Sequence, residues 1–178
     1  TVSEMDSLVI TLNEIIIDIE KGNFIIEDSF EDVHSKIEYL LTEKLGDAGK
    51  KIHTARSRND QVLVDVHLYL KDEIIALKDQ VKSLFDLMME MAEKHQNVLL
   101  PGYTHLQIAM PSSFGMWFSA YAESFIDDIT MLNAALKIVD QNPLGSAAGY
   151  GSSFPINRTF TTKELGFETL KYNAVAAQ

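Results

Sequence analysis

The chain has 178 residues and 46% of them are hydrophobic, so it can bury a core of about one substantial domain. It contains no cysteine, which excludes disulfides and thiolate metal sites and is typical of a cytoplasmic protein. The net charge of −11 argues against nucleic-acid binding, and no apolar run approaches the roughly 20 residues of a membrane span. A small anionic substrate fits this charge only where positive groups are concentrated locally.

Two helices are predicted in the first quarter of the chain. Apolar residues at helical spacing predict an amphipathic helix over about 3–20, with Ser3 as its N-cap. A second helix is predicted over about 30–45, with Ser29 as its N-cap. A polar connection that contains glycine follows over 46–59.

The strongest structural signal is a long stretch without glycine or proline, from Asp60 to about Gln96. Its apolar residues recur at alternating steps of three and four, which predicts one continuous helix with a buried seam. The seam residues are Leu63, Val66, Leu70, Ile74, Leu77, Val81, Leu84, Met88 and Met91. Such a helix spans roughly 55 Å, too long for a small domain to cover alone. The pattern therefore predicts a helical bundle completed by other subunits.

The remaining sequence predicts one more long helix between two loops. The segment 97–111 ends the first long helix, and another helix is predicted over about 112–140. A Gly/Ser-rich loop is predicted over 141–158, and Thr161 with Glu164 forms a capping box for a short final helix. No strand pattern is evident, so the predicted fold class is all-α.

The segment HTARSRND contains two of the three arginines of this acidic chain. Arg56 and Arg58 can each bind a carboxylate through two parallel hydrogen bonds, and Ser57 adds a neutral donor. Asn59 or Asp60 can also cap the long helix, whose N-terminal N–H groups favour an anion. The competing interpretation is a capped helix start with surface arginines in weak ion pairs.

Two other loops carry residues that suit chemistry. His105 lies in PGYTHLQ, where a histidine can titrate near neutral pH and act as an acid or a base. Taken alone, such a histidine is more often structural. The segment PLGSAAGYGSS allows close backbone approach to a ligand, although a flexible connector is the simpler interpretation. His67 and His95 are expected to be structural or solvated, and no metal-binding spacing is present.

Together these loops resemble the argininosuccinate lyase family of the aspartase/fumarase superfamily. HTARSRNDQ at 53–61 is close to the family's HTGRSRNDQ, and PGYTHLQ at 101–107 matches without change. EDVHS at 31–35 resembles EDIHS, and NPLGSAAGYGSSFPINR at 142–158 resembles SPLGxGAxAGxxxPIDR. The resemblance extends over essentially the whole chain, in order and with matching spacing.

The resemblance implies reversible cleavage of argininosuccinate to arginine and fumarate by β-elimination, without a metal or organic cofactor. This chemistry needs donors that stabilise a doubly charged aci-carboxylate, together with a base and an acid. Matching positions imply that His105 is the catalytic histidine, as acid, base or orienting group. They also imply substrate contacts for Ser57, Arg58, Asn59, Thr104 and Gln107, whereas Arg56 is assigned to holding the loop.

The resemblance further implies an aspartase/fumarase-type long-helix bundle that assembles as a homotetramer with active sites shared between subunits. On this basis, residues 1–58 are part of the N-terminal helical domain and 59–178 the first part of the central bundle. Two departures matter. Ala55 stands where the family usually has glycine; alanine strains the backbone there if φ is positive, and the change is neutral if it is not.

The second departure is the absence of the family's third signature, close to GSSxMPxKxNP, with its catalytic serine and lysine. GSSFP at 151–155 is not a substitute, because no matching lysine follows it. The family's N-terminal segment is also missing. The expectation is an incomplete fragment that is inactive in isolation. Two alternatives are another fumarate-releasing lyase and a non-catalytic crystallin-like protein; the intact His105 and RSRND favour an enzyme.

Overall fold

The computed structural model describes all residues from Thr1 to Gln178 and contains six α-helices. The chain divides into two compact units, Thr1–Ser57 and Arg58–Gln178. The predicted all-α fold class is confirmed, although four short strands accompany the helices. None of the helices combines the length and apolar character needed to cross a lipid bilayer.

The first unit contains three α-helices and a short 3₁₀ helix. These are α1 (Val2–Glu20), α2 (Val33–Leu45), α3 (Asp47–Lys50) and the 3₁₀ helix Lys51–His53. Both predicted N-caps are wrong. The Thr1 hydroxyl accepts the Glu4 N–H at 3.3 Å, and the Asp32 carboxylate accepts the Ser35 N–H at 2.8 Å. Serine, threonine and aspartate all suit the N-cap position. The residue that occupies it is therefore set by where the backbone enters the helix.

The core of the first unit forms where α1 packs against α2. Leu8, Ile15 and Leu41 are buried at its centre. Partly buried hydrophobic residues surround them, namely Leu12, Phe24, Ile37, Leu40, Leu45 and Ile52. The seven-residue spacing of Leu8 and Ile15 keeps both on one face of α1, as the predicted amphipathic pattern requires.

The second unit is built on α4 (Arg58–Lys94) and α5 (Phe114–Val139), which run antiparallel. The start of α5 packs near the end of α4, since a Cβ on Gly115 would lie 2.6 Å from Gln96 Cα. At the other end, the carbonyl of Val139 lies 2.9 Å from His67 Nδ1. The predicted long helix is therefore confirmed and begins two residues earlier than expected.

The apolar residues of α4 divide between two faces. Val64 and Ala92 are buried, and Phe85 lines an apolar pocket with Phe125 and Ile129 of α5. In contrast, one stripe of the predicted seam is 37% to 44% exposed, consisting of Val66, Leu70, Leu77 and Leu84. We call these four residues the α4 stripe. One partner helix covers only part of the apolar surface of α4.

A β-hairpin joins α4 to α5, which corrects the prediction of a loop without strands over 97–111. Strand β1 (Leu99–Thr104) pairs antiparallel with β2 (Gln107–Ser113), with a bulge between Gly102 and Tyr103. The Ser113 hydroxyl accepts the Met116 N–H at 3.1 Å and caps α5. Short strands containing proline and glycine give no alternating pattern, so the sequence signal is weak.

The C-terminal segment is ordered against the start of α4. It contains β3 (Gln141–Asn142), α6 (Arg158–Glu164) and β4 (Thr169–Leu170), with β3 parallel to β4. The Asn157 side chain caps α6 by accepting the Phe160 N–H at 2.9 Å. The predicted capping box is therefore wrong, because Thr161 and Glu164 both lie inside α6.

We expect Gly49→Ala to destabilise the first unit by about 1–3 kcal/mol, since overpacking forces the backbone to shift. A Cβ on Gly49 would lie 2.3 Å from the carbonyl oxygen of Leu41. Urea unfolding followed by circular dichroism measures the change. Asp47→Ala, an exposed change in the same helix, is the control and should alter the free energy of unfolding by less than about 0.5 kcal/mol. Equal stability of the two variants would contradict the close approach of α2 and α3.

Candidate active site

The segment HTARSRNDQ lies where the first unit ends and the second begins. Ser57 is the last residue of the first unit, and Arg58 is the first residue of α4. Ser57 and Arg58 are half-buried, and Asn59 is exposed. The prediction that Asn59 or Asp60 caps the helix is wrong, because both lie within its first turn.

Arg56 contributes to the packing of the first unit. Its Nη2 donates to Glu38 Oε1 at 2.5 Å and lies 2.9 Å from His53 Nδ1. His53 Nδ1 is itself 3.0 Å from the same carboxylate oxygen. The three side chains therefore form a compact cluster that holds the segment leading into Ser57. This agrees with the assignment of Arg56 to holding the loop.

Ala55 adopts a left-handed backbone conformation, with φ of 59°. A non-glycine residue in this region is strained by about 1–2 kcal/mol. The position therefore suits the glycine that the resemblance assigns to it. The left-handed conformation of Ala55 is imposed by the surrounding structure, because alanine itself does not favour it.

The first turn of α4 carries several hydrogen-bond donors. Arg58 Nη1 donates to Gln61 Oε1 at 3.3 Å, one turn along the helix. The first N–H groups of a helix have no partner within it, and they lie at the positive end of the helix dipole. Three groups that suit an anion thus lie close together in the sequence. They are the Arg58 guanidinium, the exposed Asn59 amide and the N-terminus of α4.

His105 lies at the tip of the β-hairpin. Thr104 pairs with Gln107 across the hairpin, so only His105 and Leu106 form the turn. Both have positive φ, 51° and 65°, which is the geometry of a type I′ turn usually made by Asn-Gly. Thr104, His105 and Gln107 are all exposed, and Leu106 is 98% exposed. The turn places the three polar side chains of THLQ at the tip of the hairpin.

The first part of the Gly/Ser-rich segment after β3, residues 143–147, is bound to α4 by hydrogen bonds, which argues against a flexible connector there. The loop 143–147 turns back onto α4, and Gly145 and Ser146 are buried in it. Asp60 Oδ2 accepts the N–H groups of Gly145 and Ala147, both at 2.9 Å. This role of Asp60 is not evident from the sequence. The one local indication is that Asp60 follows RSRN at the start of a predicted helix.

Arg158 is the structural centre of the same loop. Its guanidinium donates to the carbonyl oxygens of Leu144 at 2.9 Å and Lys171 at 2.8 Å. Burial lowers the pKa of Arg158, and the negative charge of Asp60 partly offsets this effect. The Arg158 guanidinium is therefore engaged in hydrogen bonds inside the protein.

The two predicted groups of site residues lie far apart in one chain. Arg58 and Asn59 are at the start of α4, whereas Thr104, His105 and Gln107 follow its end. The helix spans roughly 55 Å and the hairpin about 20 Å. Even a hairpin folded back along α4 leaves its tip on the order of 30 Å from Arg58. The chain by itself does not bring these groups together.

The remaining histidines of the second unit have structural surroundings, as predicted. His67 Nδ1 donates to the Val139 carbonyl oxygen at 2.9 Å, and its ring meets the edge of Phe167. The His95 ring packs against Phe118. No group of three or more histidine or acidic side chains could hold a metal ion.

Comparison with known sequences gives a consistent result. Residues 1–178 match the family described as lyase. The chain is 56% identical over its full length to the argininosuccinate lyase of Bacteroides fragilis, and covers 40% of that protein. It is 45% identical over 98% of its length to that of Xanthomonas oryzae pv. oryzae, and covers 41% of it. The chain thus spans about two fifths of the length of these curated relatives.

Solved structures share the fold. A variant of EDDS lyase with bound fumarate matches 99% of this chain with a TM-score of 0.89, at 24% identity and over 34% of its own chain. A fumarate lyase, delta crystallin, from Brucella melitensis bound to cobalt matches 98% of this chain with a TM-score of 0.77, at 18% identity and over 43% of its own chain. At these identities the likeness concerns the fold alone.

We expect Ala55→Gly to stabilise the chain by about 0.5–1 kcal/mol, because relief of left-handed strain exceeds the added entropy of the unfolded glycine. Ala48→Gly, in the short helix α3, is the matched control. It should destabilise by up to about 1 kcal/mol, since glycine disfavours a helix. Urea unfolding of both variants measures the difference, and two changes of the same sign would contradict the strain at Ala55.

Proposed function

Because this chain belongs to the lyase family that its sequence matches from end to end, we propose that it supplies loops of an argininosuccinate lyase active site. The reaction is cleavage of argininosuccinate to arginine and fumarate by β-elimination, as part of arginine biosynthesis in the cytoplasm. The observation that carries the proposal is the ordered pair of segments HTARSRNDQ at 53–61, which departs only at Ala55, and PGYTHLQ at 101–107, which matches without change. The 56% identity to an argininosuccinate lyase over the full chain supports it.

The start of α4 is the proposed binding site for the fumarate half of the substrate. Arg58 forms a charge-assisted pair with one carboxylate, and Ser57 and Asn59 donate neutral hydrogen bonds to its oxygens. The N-terminal N–H groups of α4 add positive potential at the same point. Proton loss beside a carboxylate puts a second negative charge on that group, and fixed donors stabilise this charge most strongly.

The tip of the β-hairpin is the proposed proton-transfer element. His105 acts on the substrate as acid, base or orienting group, and Thr104 and Gln107 flank it as substrate contacts. The two-residue turn between paired strands defines the backbone that carries these side chains. No metal or organic cofactor takes part in the proposed reaction.

The proposed active enzyme is a homotetramer, in which the hairpin of one subunit reaches the α4 start of another. Two observations support it. Arg58 and His105 are separated by the length of α4 within one chain. The α4 stripe, Val66, Leu70, Leu77 and Leu84, exposes apolar side chains along the helix, which is typical of a bundle seam.

We expect His105→Asn to reduce fumarate release at least about a hundredfold, because loss of a proton-transfer group typically costs this much. The test is a chimera in which this chain replaces the matching region of the Bacteroides fragilis argininosuccinate lyase. Fumarate release from argininosuccinate is followed by absorbance. His95→Asn, the same change at a histidine packed on Phe118, is the control and should retain kcat.

The outcomes distinguish the alternatives. Full activity of His105→Asn would overturn the assignment of His105. Fumarate release from a different adduct, with none from argininosuccinate, would favour another superfamily lyase. Absence of activity in a correctly assembled chimera would favour a non-catalytic protein of this fold.

We expect the chain to sediment as an oligomer and Leu77→Lys to sediment as a monomer. A lysine in the α4 stripe puts a charge into the seam, and burying an unpaired charge is costly. Ser83→Lys adds the same charge at an exposed position of α4 and should leave the oligomer intact. Analytical ultracentrifugation measures both, and a monomeric unmodified chain would contradict the role of the stripe.

A further inference from the structure

The carboxylate of Asp60 is buried in the first turn of α4 and bound by a distant loop. The side chain has no exposed surface. Its Oδ2 accepts N–H groups from Gly145 and Ala147, which lie 85 and 87 residues further along the chain. Hydrogen bonds to an ionised acceptor are about twice as strong as neutral ones. Two such bonds fasten the beginning of α4 to the loop 143–147.

The loop adopts an unusual backbone to make these two bonds. Gly145 and Ala147 both have left-handed conformations, with φ of 89° and 53°. Ser146 between them is fully buried, and its hydroxyl accepts the Gln178 side chain at 2.9 Å. Alanine adopts this region only where the surroundings impose it. The conformation directs two backbone donors at one carboxylate oxygen, as in an anion-binding nest.

Arg158 supports the loop from its other side. Its Nε donates to the Leu144 carbonyl oxygen, and a Cβ on Gly145 would lie 2.7 Å from Arg158 Cγ. A buried charge is tolerated when it is hydrogen-bonded and opposed by a charge of the other sign. Two backbone amides and the nearby guanidinium compensate the Asp60 charge within the same turn that carries Arg58 and Asn59.

We propose that Asp60 is a positioning residue that fixes the first turn of α4 for dicarboxylate binding, an inference that rests on the function proposed above. Asp60 directly follows Arg58 and Asn59. Its bonds to Gly145 and Ala147 set the rotation of that turn and therefore the directions of both preceding side chains. Asp60 touches no reacting atom, and its effect passes through Arg58 and Asn59.

The test compares Asp60→Ala with Asp60→Asn in the chimera described above. We expect Asp60→Ala to raise the KM for argininosuccinate roughly tenfold to hundredfold, because small misplacement of substrate-positioning groups has effects of this size. The inhibition constant of succinate, a dicarboxylate that is not cleaved, should rise in parallel. The kcat should fall as well, because the same donors stabilise the second negative charge that forms on the carboxylate during proton loss.

Asp60→Asn removes the negative charge and keeps an oxygen that can accept hydrogen bonds. It also provides a second variant in case Asp60→Ala fails to fold. The asparagine oxygen can still accept both N–H groups, so its KM should lie between those of the unmodified chimera and Asp60→Ala. Asp72→Asn removes an exposed carboxylate of the same helix and should leave KM unchanged. Thermal unfolding of every variant is recorded, and the kinetics are measured below the lowest transition.

Two results would overturn the inference in different ways. A lower unfolding temperature for Asp60→Asn or Asp60→Ala, with KM and succinate inhibition unchanged, would show that Asp60 is only structural. That result leaves the proposed function standing, because the unmodified chimera remains active. An unmodified chimera that releases no fumarate from argininosuccinate would overturn the proposed function and this inference with it.

Discussion

The length of α4 determines where the loops of the second unit can lie. A continuous helix of 37 residues holds its ends roughly 55 Å apart. The antiparallel helix α5 returns along it, so the loops of the second unit collect at one end or the other. HTARSRNDQ and the loop 143–147 meet the start of α4, whereas the hairpin follows its end. In the proposed enzyme, a site that needs both loops draws on more than one copy, and the exposed α4 stripe is the proposed surface for that assembly.

The three arginines of this acidic chain have different surroundings. Arg56 pairs with Glu38 inside the first unit, and Arg158 donates to backbone carbonyl groups of the C-terminal segment. Arg58 opens α4 at the positive end of its dipole. An arginine-poor protein thus uses two guanidinium groups to hold loops and has the third at a helix N-terminus. This division explains why two arginines stand so close together in the sequence.

Backbone strain marks the same three loops. The four non-glycine residues with positive φ are Ala55, His105, Leu106 and Ala147, and each lies in one of the motif-bearing segments. Unfavourable conformations persist only where surrounding contacts fix them, and they cluster at functional sites. In this chain those contacts are the Arg56 cluster, the paired strands of the hairpin and the buried carboxylate of Asp60.

The helices could be predicted from the sequence alone, because helical periodicity is a property of residues three and four positions apart. It also located the loops that carry RSRND and THLQ. It did not reveal the hairpin, since strand pairing over a bulge leaves no local pattern. It predicted Ser3 and Ser29 as caps, where the fold uses Thr1 and Asp32. The role of Asp60 was decided only by tertiary structure, because its partners lie more than eighty residues away and only folding brings them within hydrogen-bonding distance.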